Sequence, residues 1–141
     1  MDNSLQPGLT FEFKYTVPEN KTVPYLYPEL STGGEMPKVF ATGFMVGLIE
    51  HACIQAINPH INWPEEQSVG ININVSHIAA TPPGFTVTVR GKLEKVEGRR
   101  LSFSIVAHDG VDKISEGSHE RYIISADKFR KSLAEKSAKH G

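Results

Sequence analysis

The chain holds a single cysteine, Cys53, so no disulfide can form within it. Cys53 lies among Ala52, Ile54 and Ala56, which reads as a small buried hydrophobe of a reducing compartment. Only His51 is close enough in sequence to activate the thiol, so a catalytic cysteine is not expected. Neither sign of charge is in excess: 15 Lys and Arg stand against 16 Asp and Glu, for a net charge of −1. That balance gives no reason to expect nucleic acid or an anionic membrane as partner. No run approaches the roughly 20 apolar residues that span a bilayer. The first residues, Met1 to Pro7, lack a basic region followed by an apolar stretch. A signal peptide is therefore not expected, and a cytoplasmic location is. The glycines form no phosphate-cradling or dinucleotide pattern, and no serine elbow is present. The six histidines are scattered without zinc-ligand spacing, so no metal is expected.

What is there fits one domain over 1–141, long enough for a real core. Leu9–Val17 alternates around Phe11, Phe13 and Tyr15 and reads as a strand. Residues 18–37 carry four prolines and two glycines and read as a long loop or lid. A helix follows from Pro37 or Thr42 to Ile57, where Asn58-Pro59 stops it. Its side chains are apolar nearly all round, which predicts burial on most sides. Ser68–Ala80 alternates, with Ile71, Ile73, Val75 and His77 on one face. Further strands are expected over Phe85–Val96, Leu101–Ala107 and Asp112–Ile124, with turns at Pro82-Pro83-Gly84, Glu97–Arg100 and Asp109-Gly110. A charged helix is expected over 126–139. This order is α+β. An antiparallel sheet wrapped around one buried helix accounts for it, which is the layout of the hotdog fold.

Three residues stand out chemically. Glu50 lies in an apolar helix, where a carboxylate must be paired, protonated or put to use. His77 falls on the apolar face of a strand, and Thr42 sits at the helix start. Each has a plain structural reading as well. Thr42 fits a helix cap, Glu50 an ion pair with Arg121, and His77 a satisfied core histidine. Their company favours chemistry. Thr42 and Glu50 are eight residues apart, about 12 Å along a helix axis. They cannot meet directly on one regular helix. Either the helix is irregular at Gly43, or the two act from different sides of a substrate, or a second subunit supplies one of them.

The segments Leu26-Tyr27-Pro28-Glu29, Phe40-Ala41-Thr42-Gly43-Phe44-Met45-Val46-Gly47, Thr81-Pro82-Pro83-Gly84, Val96-Glu97-Gly98-Arg99-Arg100-Leu101 and His119-Glu120-Arg121 closely resemble the fluoroacetyl-CoA thioesterase family. The resemblance covers roughly Phe11 to Phe129. It implies a hotdog-fold hydrolase that splits a short acyl-CoA into free acid and CoA. It implies a homodimer with sites at the subunit interface, and no cofactor beyond the CoA of the substrate. By resemblance the catalytic threonine, glutamate and histidine fall on Thr42, Glu50 and His77. The arginine near the thioester falls on Arg121, and the glycine that orients water or carbonyl on Gly70. The chain departs from the family where phenylalanines cover the acyl group, for Gly33 and Met36 stand there. Met36 can still cover an acyl chain, whereas Gly33 cannot, so a looser lid and a broader or different short-acyl preference are expected. Two rival readings are a hotdog hydratase, on the strength of Asn58-Pro59-His60, and a non-catalytic acyl-CoA-binding module.

Overall fold

The computed structural model describes residues 1–30 and 33–141. Five strands and two helices carry the chain: β1 (Thr10–Thr16), α1 (Thr42–Ile57), β2 (Glu66–Val75), β3 (Thr86–Glu97), β4 (Arg100–His108), β5 (Lys113–Ser125) and α2 (Ala126–His140). The strands form one antiparallel sheet in the order β1-β3-β4-β5-β2. The α+β architecture expected from the sequence is present, and β1, β3, β4 and β5 end within a residue or so of their predicted positions, whereas β2 stops at Val75, short of the expected Ala80. Gly98 and Gly110 take positive φ at the two tight turns, 61° and 92°, as the turn signals required.

One face of the sheet buries α1. The alternating positions Val87, Val89, Leu93, Leu101, Phe103, Ile105 and Ala107 meet the helix in a single core. Phe11 fills the space above Gly91 and packs edge-on to Phe103, 5.8 Å between centroids. The helix departs from expectation. It is apolar all round, but only Met45, Leu48, Ile49, Ala52, Cys53 and Ile57 are buried, at helical spacing. Gly43, Gly47, His51 and Gln55 are exposed. The sheet covers one side of α1 and leaves the other flank of the single chain open.

The second departure is in β2. The expected inward face of Ile71, Ile73, Val75 and His77 is interrupted at Ile71, while Ile73 lies opposite buried His119 and Val75 packs against the core. Register against β5 slips between Gly70 and Asn72, so Ile71 has no partner residue, and this one-residue bulge brings Gly70, opposite Arg121, onto the same face as Ile73, opposite His119. Ile71 and Ile73 are 47% and 37% exposed. The strand ends at Val75, and His77 lies in the segment beyond it. Phe85, expected to open the next strand, precedes β3 and is 37% exposed.

The proposed lid holds short 3-10 turns at Glu19–Lys21 and Val23–Tyr25. Its Ser31 and Thr32 lie outside the described residues. Thr22 bridges Phe40, and the Leu26 side chain lies against Gly43 at the helix start. Among the described residues no helix is long and apolar enough to cross a membrane.

The end of β2 depends on a close backbone approach. A Cβ at Gly117 would lie 2.0 Å from the Asn74 carbonyl oxygen and 2.8 Å from Val75 Cα. Gly117→Ala is expected to push β2 from β5 and cost about 1–3 kcal/mol. Thermal unfolding checks this, and an unchanged Tm contradicts it.

Candidate active site

Thr42 is the first residue of α1, not its cap. The cap position is Ala41, and no side chain bonds there. The Thr42 hydroxyl is free of the helix and lies 2.7 Å from His77 Nδ1. The structural reading of Thr42 as a cap is therefore excluded. His77 is half-buried in a segment tied to β5, where the Ser76 amide donates to the Glu116 carbonyl and the Ile78 amide to Ile114. Thr81 links this segment to the helix start. Its carbonyl accepts the Phe40 amide at 2.8 Å, and its buried hydroxyl donates to Asp109 Oδ2 at 2.9 Å. Asp109 in turn accepts the amides of Val111 and Asp112 in the β4–β5 turn. Thr42 and His77 are thus fixed from both sides. They line a cleft of about 300 Å3 with Val23, Val39, Phe40 and Ile78–Ala80.

The protonation of His77 suits it to accept a proton. Burial holds its pKa below the ordinary value, and the Ala79 carbonyl partly opposes this. Nε2 is buried without a hydrogen-bond partner. In the neutral tautomer that carries its hydrogen on Nε2, Nδ1 presents its lone pair to the Thr42 hydroxyl.

Glu50 sits two turns further along α1 and is not buried as expected. Its side chain is 41% exposed, because it lies on the flank of α1 that the sheet leaves open. It does have the charge partner the sequence suggested. Arg121 Nη1 donates to Glu50 Oε1 at 3.0 Å. Arg121 is only 3% exposed and donates further to the Ser68 hydroxyl at 2.8 Å and the Ser68 carbonyl at 2.9 Å. Gly70 stands where these groups converge, for a Cβ there would lie 2.5 Å from Glu50 Oε1. Only glycine admits the carboxylate so close to β2. Val46, Glu50, Gly70, Ile71, Asn72, Ile73 and His119 line a second cleft of about 310 Å3.

The five central residues therefore form two groups. Thr42 with His77 is one, and Glu50 with Gly70 and Arg121 is the other. Met36 lines neither cleft and is half exposed. Asn58 and His60 lie in a 3-10 turn beyond α1 and line neither cleft, which leaves the hydratase reading without support. His60 is half-buried against the Ser4 hydroxyl. Cys53 is buried, and burial pushes its thiol up to about 12, so it is no nucleophile. Among the described residues no group of His, Cys, Asp or Glu converges to hold a metal ion.

Two functional-looking residues escaped the sequence reading. Ser68 provides the main seat of Arg121, and His119 joins the Glu50 group. The signal for His119 was its alternation with Arg121 and Ile123 on β5, all three buried.

The family model for the fluoroacetyl-CoA-specific thioesterase matches residues 25–127. The fluoroacetyl-CoA thioesterase of Streptantibioticus cattleyicolor is 50% identical over 137 residues, 97% of this chain and 98% of that one. A solved structure of a fluoroacetyl-CoA thioesterase superposes with a TM-score of 0.91 at 52% identity, covering 94% of this chain and 97% of the other. A hot-dog-like protein from Thermanaerovibrio acidaminovorans shares the fold alone, with a TM-score of 0.77 at 22% identity over 92% and 91% of the two chains. The chain belongs to the fluoroacetyl-CoA-specific thioesterase family.

Proposed function

We propose that this chain hydrolyses short-chain acyl-CoA thioesters to the free acid and CoA, using Thr42, Glu50 and His77 as catalytic residues and Gly70 and Arg121 to bind the thioester. The observation that carries this reading is the 2.7 Å hydrogen bond between Thr42 and His77 Nδ1. A free hydroxyl beside a neutral imidazole in an accessible cleft is a unit for moving a proton from a nucleophile. The net reaction adds water across the C–S bond. The nucleophile, whether Thr42 Oγ1 or a water held by it, gives its proton to His77, and the departing thiolate takes a proton in return. Glu50, pinned by Arg121, supplies the carboxylate that acts on the acyl carbon or on the water. Backbone amides beside Gly70 and at the start of α1 are suited to the developing oxyanion. CoA enters as part of the substrate, and no separate cofactor is invoked.

The separation of the two groups supports a homodimeric site. α1 runs unbroken from Thr42 to Ile57, so an irregularity at Gly43 does not bring Thr42 to Glu50. A span of about 12 Å is too long for both to serve one carbonyl from a single chain. In the proposed dimer, Thr42 and His77 of one protomer face Glu50 and Arg121 of another across the open flank of α1.

Free-thiol release from a panel of acyl-CoAs tests the activity. Thr42→Ala, Glu50→Gln and His77→Ala are each expected to lower kcat by at least about 100-fold. A Glu50→Gln variant that keeps its rate but loses stability would instead favour a binding module with a structural ion pair.

The pH profile of kcat/KM follows from His77. The imidazole must be neutral to accept a proton, and burial holds its pKa below the usual 6.5 or so. Activity should persist below that pH and fall only as acidity increases further. An acid limb above it contradicts the assignment of His77 as the base.

Acyl selectivity follows from the lid. Gly33 carries no side chain to reach over an acyl group, and its nearest neighbours are the backbone oxygens of Leu26, Pro24 and Val23. Acetyl-, propionyl- and fluoroacetyl-CoA are expected to turn over with similar kcat/KM. A strong preference for fluoroacetyl-CoA over acetyl-CoA would refute the looser lid.

A further inference from the structure

His119 is 2% exposed on β5, and no step above uses it. Its two ring nitrogens have partners of opposite kind. Nδ1 lies 2.7 Å from the Asn72 carbonyl, which can only accept. Nε2 lies 3.1 Å from Arg121 Nη1, which can only donate. Together they fix the neutral ring with its hydrogen on Nδ1 and its lone pair on Nε2. The same Nη1 donates to Glu50 Oε1 at 3.0 Å. Its two hydrogens are therefore divided, one to His119 and one to the carboxylate. Nε and Nη2 are held by Ser68. The ring also closes the floor of the cleft, for its Cε1 would lie 3.3 Å from a Cβ at Gly70.

We propose that His119 is a positioning residue for hydrolysis, its Nε2 lone pair taking one Nη1 hydrogen and so holding the planar guanidinium of Arg121 where the second hydrogen of that nitrogen grips Glu50. The proposal rests on the reading of Glu50 as catalytic. Glu50 is half exposed and its carboxylate is otherwise free to rotate, so the direction of Nη1–H decides where Oε1 stands. Burial favours the neutral ring required here, the Asn72 carbonyl opposes it, Arg121 adds to it, and Glu50 and Glu120 oppose it. Cys53, the other titratable side chain near Glu50 and Arg121, stays a neutral thiol.

The test compares His119→Ala, His119→Gln and Glu50→Gln with the native enzyme, using acetyl-CoA as substrate. His119→Ala is expected to lower kcat by about 10- to 100-fold with KM unchanged, since a misplaced catalytic group costs rate rather than binding. His119→Gln carries an amide oxygen able to take the Nη1 hydrogen, and it should recover most of that loss. Full kcat in folded His119→Ala overturns the proposal. So does an equal loss in both variants that tracks a fall in Tm, which assigns His119 to packing alone. Full kcat in Glu50→Gln overturns the reading of Glu50 and the proposal with it. An inactive Glu50→Gln beside a fully active His119→Ala overturns the proposal alone.

Discussion

The rigidity of α1 is the constraint on which the rest depends. Sixteen residues of unbroken helix carry Thr42 at one end and Glu50 two turns on. Core side chains at Met45, Leu48, Ile49, Ala52 and Cys53 clamp it against the sheet. Neither residue can approach the other without unpacking that core. Each therefore takes its partner from the segment beside it: His77 for Thr42, and Arg121 with Gly70 for Glu50.

The two groups are held by different physics. The Thr42–His77 group depends on backbone ties, through Thr81, Asp109 and β5. It is neutral, and burial helps to keep it so. The Glu50 group depends on a buried charge. Arg121 cannot stay dry at 3% exposure without partners, and Ser68, His119 and Glu50 supply them. The carboxylate faces outward, so the charge of the arginine is delivered to the open flank of α1. In the proposed reaction a neutral proton acceptor and an anchored carboxylate on separate groups act as complementary halves of one site.

Much of this was legible in the residues. Asn58-Pro59 and the apolar run bounded α1, and period-two alternation gave β3, β4 and β5. The Glu50–Arg121 pair was readable because a charge in an apolar helix requires a partner. What failed, failed for local reasons. One extra residue at Ile71 brings Gly70 onto the face of Ile73 and Val75, and no side-chain pattern announces a bulge. The exposure of Glu50 was hidden because an all-round apolar helix does not say which side the sheet leaves uncovered. His119 was hidden because its role comes from a cross-strand neighbour, the Asn72 carbonyl, that only the register supplies.

The central claim is that one site is assembled from two chains. Mixing Thr42→Ala with Glu50→Gln protein under conditions that exchange subunits tests it most directly. A mixed dimer would hold one site with native Thr42 and His77 from one protomer and native Glu50 and Arg121 from the other. The account predicts two inactive proteins whose mixture regains thioesterase activity. A mixture that stays inactive, although mixed dimers are seen by native mass spectrometry, would contradict it.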